Sequence, residues 1–151
     1  MVSPEIIRRY PFFSGLSMDQ VISLAKVADE VEVPGGHYFH LEGDELKSFY
    51  LILEGEVNVI TTLPQKDREV VVSTLGTGDV FGWSGLVPPH SATAGAKSAI
   101  PTRLIAFDCD VLLNLFEEDC RFGYTMMLKI AQLIRERLNA LRIETIAYIA
   151  S

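Results

Sequence analysis

Positive charge is in short supply: 13 Lys and Arg stand against 20 Asp and Glu in 151 residues, a formal net charge of -7. A protein that binds nucleic acid on its own gathers positive charge to displace counterions from phosphates, so this balance speaks against direct DNA or RNA binding. Cysteine is nearly missing too. Cys109 and Cys120 form no CxxC pair and are expected to be small buried hydrophobes in a reducing compartment, not a disulfide, metal site or redox switch. No apolar run is long enough for a signal peptide or a membrane span, and Met1 to Tyr10 carries charges at Glu5, Arg8 and Arg9. The chain is expected to be cytoplasmic and away from membranes. After Gly123 there is neither Gly nor Pro, so nothing interrupts a long helix from about Cys120 to the end.

What is present, 48% hydrophobic and 22% charged residues, suits one domain over residues 1–151. Ser17 followed by Gln20 forms a capping-box pattern, and Val21, Leu24, Ala25 and Ala28 fall on one helical stripe, which predicts a helix from about Met18 to Asp29. Residues 1–29 thus read as N-terminal helices. From Glu30 to Phe107 short β-branched and aromatic runs alternate with the turns Pro34-Gly35-Gly36, Glu42-Gly43-Asp44, Glu54-Gly55, Pro64-Gln65-Lys66-Asp67 and Gly76-Thr77-Gly78-Asp79. Strands are predicted at Val31–Val33, His37–Leu41, Ser48–Leu53, Glu56–Thr62, Arg68–Leu75, Ser91–Ser98 and Thr102–Phe107, with Glu54-Gly55 as a tight hairpin turn. This spacing describes an antiparallel β-roll or jelly roll. Asp108 can cap a short helix through Phe116, so residues 108–151 read as C-terminal helices. The fold class is mainly β with flanking helices, not βαβ units.

On the last helix Met127, Ile130, Ile134, Leu138, Leu141, Thr145 and Tyr148 recur at steps of three or four, with Lys129, Gln132, Arg135, Glu136, Asn139 and Arg142 between them. The stripe could pack on the barrel of its own chain. Its length exceeds what one small barrel covers, so a two-helix seam in a symmetric homodimer is the expectation.

The most informative stretch runs from Gly82-Trp83-Ser84-Gly85-Leu86 to His90-Ser91-Ala92-Thr93-Ala94. Helix, roll, short helix and long terminal helix, with Tyr10-Pro11-Phe12-Phe13-Ser14-Gly15-Leu16-Ser17, Leu41-Glu42-Gly43-Asp44, Tyr50-Leu51-Ile52-Leu53-Glu54-Gly55-Glu56-Val57 and Gly78-Asp79-Val80-Phe81-Gly82, resemble the cyclic nucleotide-binding domain of the catabolite-activator superfamily. The resemblance covers nearly the whole chain and implies an eight-strand roll. It also implies that the residues after Phe81 and Gly82 aim backbone N–H groups at a cyclic phosphate. The family's nucleotide binders add a Glu after that glycine for the ribose hydroxyl, and an Arg followed by Ser or Thr and Ala for the phosphate. Here these places hold Trp83 and Ala92-Thr93-Ala94.

Each lost contact is a charge-assisted bond worth roughly 1.5–3 kcal/mol, so losing both costs about 3–6 kcal/mol, a hundredfold to ten-thousandfold in affinity. Cyclic AMP should bind weakly or not at all unless His90, Lys97 or a partner subunit supplies charge. On the terminal helix only Asn139 offers a donor near the nucleobase position. No helix-turn-helix follows in the 151 residues, so the resemblance implies no DNA reader here.

The leading expectation is therefore a non-enzymatic regulatory sensor with a degenerate cassette, no cofactor and no metal, taking an unidentified small ligand or protein partner. In a second reading Trp83 plugs the pocket of a ligand-free interaction module. In a third, cyclic-nucleotide binding survives through backbone N–H groups, Ser84 and Thr93. Rival chemistry is weaker: Gly82-Trp83-Ser84-Gly85 lacks the final Gly of a nucleophile elbow, and Gly76-Thr77-Gly78 has Phe81 where a dinucleotide loop needs Gly. His37 and His40 lie three apart on a strand, face opposite sides, and read as edge or surface residues. Arg68, Arg103 and Arg121 read as solvated charges.

Overall fold

The structure, a computed structural model, describes residues 1–65 and 67–151; Lys66 of the expected turn lies outside them. Helices α1 (Pro4–Arg8) and α2 (Met18–Lys26), with a 3-10 turn at Pro11–Phe13, lead into strands β1 (Ala28–Val33), β2 (Tyr38–His40), β3 (Ser48–Glu54), β4 (Val57–Leu63) and β5 (Arg68–Leu75). Then come β6 (Val80–Phe81), a 3-10 turn at Trp83–Leu86, β7 (Gly95–Ser98), β8 (Thr102–Asp108), α3 (Cys109–Glu118) and α4 (Cys120–Ala150). The strands form two antiparallel four-stranded sheets, ordered β1-β8-β3-β6 and β2-β7-β4-β5, which is the expected jelly roll.

Local chemistry explains the helix starts. Ser17 Oγ accepts from the Gln20 N–H at 3.2 Å while Gln20 Oε1 accepts from the Ser17 N–H at 2.9 Å, completing the capping box. Asp108 and Asp119 cap α3 and α4 by accepting from the N–H groups of Val111 and Phe122, both at 3.1 Å.

The apolar runs of β3 and β8 are covered on both faces. Phe49, Leu51, Ile105 and Phe107 point into a core shared with the helices, whereas Ile52 and Leu104 point between the sheets with Val57, Leu75 and Phe81. Phe81 stacks on Tyr50 with ring centres 4.8 Å apart, and Phe39 meets both rings.

Three local expectations are corrected. Helix α2 ends at Lys26, because Ala28 and Asp29 pair with Phe107 and Ala106 of β8 and ladder pairing outweighs helical periodicity there. Glu54-Gly55 is not a hairpin turn, since β3 and β4 belong to different sheets; the chain crosses over with Gly55 at φ 119, where a Cβ would lie 2.8 Å from Thr102 Cα. Ser91 to Ala94 are loop, not strand: Ala92 exchanges backbone hydrogen bonds with Gly43 and Asp44, which draws this segment away from β4. The two-residue β6, pairing with Tyr50 and Leu51, is too short for periodicity to reveal.

Candidate functional site

Between the β2-β7-β4-β5 sheet, the 3-10 turn after Gly82 and the middle of α4 lies a cavity of about 590 Å³. Its size is that of a small-molecule site. Phe81, Gly82, Trp83 and Ser84 form one wall, and Ala92, Thr93 and Ala94 continue it, so the two halves of the sequence cassette meet around one space. Val59, Thr61, Val72 and Ser73 come from β4 and β5, while Ile134, Arg137, Leu138, Ala140, Leu141 and Glu144 come from α4.

Several expected site residues stand elsewhere. Gly85 and Leu86 turn into the core, Gly85 against Cys109 and Leu46. The His90 ring bonds the Gly85 carbonyl through Nδ1 at 2.8 Å, and its own carbonyl accepts from the Leu46 N–H; it closes the cassette loop instead of facing the cavity. Ser91 bridges to Glu45 and is exposed. Lys97 is held by the Tyr38 hydroxyl at 3.1 Å and by Glu69 at 3.5 Å, so it brings no charge to the cavity. Asn139 is exposed on the opposite face of α4 from Ile134, Arg137, Leu141 and Glu144, because five residues beyond Ile134 is about 140° round a helix of 3.6 residues per turn.

Trp83 does not fill the space. Its ring is half-buried, packs on the helix-side core and lines a cavity that stays open beside it.

The cation that sequence reasoning passed over is Arg137. Its Nη2 donates to the Val80 carbonyl at 2.8 Å; burial lowers its pKa and nearby Asp79 opposes that shift. It is the single Lys or Arg in the wall among the described residues. Its signal was present, three residues after Ile134 and four before Leu141, on the edge of the apolar stripe. His40, expected as an edge or surface residue, also belongs to the wall. It is half-buried in the wall, with Nδ1 buried and unpartnered, and burial lowers its pKa below the ordinary 6.5 against opposing effects from Asp44 and the Ala94 backbone. The neutral ring is the form this environment favours.

The apolar stripe of α4 divides in two. Ile130 is buried, and Met127 and Ile134 are half-buried against the chain's own core with Phe122 and Met126. Leu138 and Leu141 are about half exposed at the cavity rim, and Thr145 and the 83% exposed Tyr148 have no cover. Cys109 is buried as expected, whereas Cys120 is exposed because it opens α4 beside Asp119. Arg103 lies on the sheet surface among Glu30, Glu32 and Glu54. Among the described residues no group of three or more His, Cys, Asp or Glu could hold a metal ion, and no helix is long and apolar enough to cross a membrane.

Comparison with known proteins agrees with the fold. The family described as Cyclic nucleotide-binding domain matches residues 30–119. The CRP-like cAMP-activated global transcriptional regulator of Mycobacterium tuberculosis is 26% identical over 137 residues, covering 91% of this chain; the match takes in 61% of the regulator. A solved protein of Geobacter metallireducens, 28% identical, superposes with a TM-score of 0.82 over 91% of this chain and 99% of its own. A cyclic nucleotide-binding domain of Methylobacillus flagellatus is 25% identical with a TM-score of 0.76, over 90% of this chain and 76% of its own.

Proposed function

The chain belongs to the cyclic nucleotide-binding domain family, and we propose that it is a non-enzymatic sensing module whose cavity takes a small anionic ligand through Arg137 instead of through the cassette. The observation that carries this reading is the composition of the wall: Ala92 and Trp83 stand where relatives' nucleotide contacts are implied, and Arg137 is the cation that faces the space. A ligand anion competes with the Val80 carbonyl for that guanidinium. Since Arg137 sits on α4, binding biases the helix, and its effect is limited to the ligand's differential affinity for the two helix positions. The exposed end of α4, from Leu138 through Thr145 to Tyr148, suits a seam with a second copy, which would carry that bias to another subunit.

Cyclic AMP is a weak ligand in this account, by about a hundredfold to ten-thousandfold against a site with both lost contacts. A Trp83→Glu plus Ala92→Arg double variant tests this. Restored contacts should tighten cyclic AMP binding in calorimetry by about a hundredfold or more. No gain in a folded double variant would remove the assignment of these two positions.

A further inference from the structure

Resting on the reading that this cavity binds a small anion, we propose that His40 is its proton-gated second cation: neutral while the cavity is empty, the imidazole takes a proton from solvent as an anion enters, so affinity rises as pH falls. A β-bulge puts the ring in place. Tyr38 opposes Lys97 and His40 opposes Ala96, so two steps along β2 match one step along β7, and Phe39 is the extra residue. Directly opposed residues share a face of the sheet. Tyr38 therefore lies outside with Lys97, from which its hydroxyl accepts, whereas His40 lies with Ala96, which is buried between the sheets beside Phe81. Regular alternation would have put His40 on the side of Tyr38; the bulge turns it into the cavity wall.

The ring arrives there without a partner. Nδ1 is buried and has no hydrogen bond among the described residues, although buried polar atoms are paired in the large majority of cases. The Asp44 carboxylate and the Ala94 backbone favour the charged ring; burial opposes them and prevails. Across the space α4 presents Arg137, which disfavours a second positive charge, and Glu144, which favours one, while β4 to β7 present uncharged residues to the wall. An anion beside the ring adds attraction to its charged form alone. The gain in affinity is full below the pKa of the ring in the empty cavity and is lost as pH rises through the higher pKa of the liganded one.

Cyclic AMP is a suitable probe, because its phosphodiester keeps one negative charge at acid and neutral pH alike. It is titrated by ligand-observed NMR to millimolar concentration against the wild type and His40→Gln, which keeps hydrogen bonding and loses the charge. The wild type should bind about three- to tenfold tighter at about pH 5 than at about pH 8, and His40→Gln should change by less than about twofold. In the wild type the Cε1 proton of His40 is followed through the same range with and without the nucleotide, and its titration midpoint should move to higher pH on binding. A wild-type affinity that does not change with pH, a slope retained in His40→Gln, or an unmoved midpoint overturns the proton-gated contact and leaves the anion site at Arg137 standing. Failure of the wild type to bind cyclic AMP at any pH overturns the anion reading itself, and this inference with it.

Discussion

Replacing Gly82 by Ala perturbs the turn that leads into the candidate site. Gly82 has φ 84, and a Cβ there would sit 2.5 Å from the Ser48 carbonyl oxygen, about 0.9 Å short of ordinary contact at 3.4 Å. The left-handed conformation costs an alanine about 1–2 kcal/mol. The clash cannot relax cheaply, because Ser48 opens β3, which is paired with β8 on one side and β6 on the other. Forcing a methyl group into such a place costs about 1–3 kcal/mol more, and the stiffer unfolded chain offsets about half a kcal/mol. The net loss is about 3 kcal/mol, or roughly 6–12 °C in Tm for a chain of this size. Thermal unfolding followed by circular dichroism reads it directly. Gly76→Ala is the control, since Gly76 lacks a left-handed φ and has nothing within 4 Å of a Cβ. Equal Tm values for the two variants would refute the reasoning.

Three further outcomes are expected. Burial, with Asp108 and Asp110 nearby, pushes the Cys109 thiol up to about 12, so a thiol reagent at neutral pH should modify exposed Cys120 in the native protein and reach Cys109 only on unfolding. His40 has a folded pKa below its unfolded 6.5, so its contribution to stability is intact above about pH 6.5 and lost as pH falls through the folded value; Tm measured from neutral to acid pH should fall less steeply in His40→Phe than in the wild type, and equal slopes would remove this coupling. Tyr148→Asp puts a charge in the uncovered end of α4 away from the cavity wall, so the helix-seam dimer should dissociate in sedimentation; a variant that stays dimeric contradicts the seam.

The sequence conveyed most of the architecture because its signals were local. The Ser17 and Asp108 caps, the uninterrupted run after Gly123 and the β-branched and aromatic runs of β3 and β8 each act within a few residues, and each lies where expected. The losses came from non-local pairing. Ala28 continues the helical stripe of α2, yet its register with Phe107 makes it strand, and Ser91 to Ala94 have strand composition but bond to the Gly43 and Asp44 turn. At the site, the meeting of Phe81 to Ser84 with Ala92 to Ala94 was legible from the cassette. Arg137 and Glu144 were not, since their facing depends on how α4 is rotated against the barrel, and the resemblance, which implies a nucleobase position near Asn139, left that residue as the polar candidate. The length of the stripe suggested a seam along all of it; packing of Phe122, Met126 and Ile130 on the chain's own core restricts the uncovered part to the distal half.

In the proposed sensing module the anion contact lies on α4, at Arg137, and not in the cassette. Calorimetric titration of the wild type and Arg137→Gln with cyclic AMP to millimolar concentration, with Trp83 fluorescence as a parallel reporter from the cavity wall, tests it most directly. Weak, millimolar binding by the wild type, reduced a further tenfold or more in Arg137→Gln, is the expected outcome. Saturable micromolar binding that survives in Arg137→Gln would contradict it.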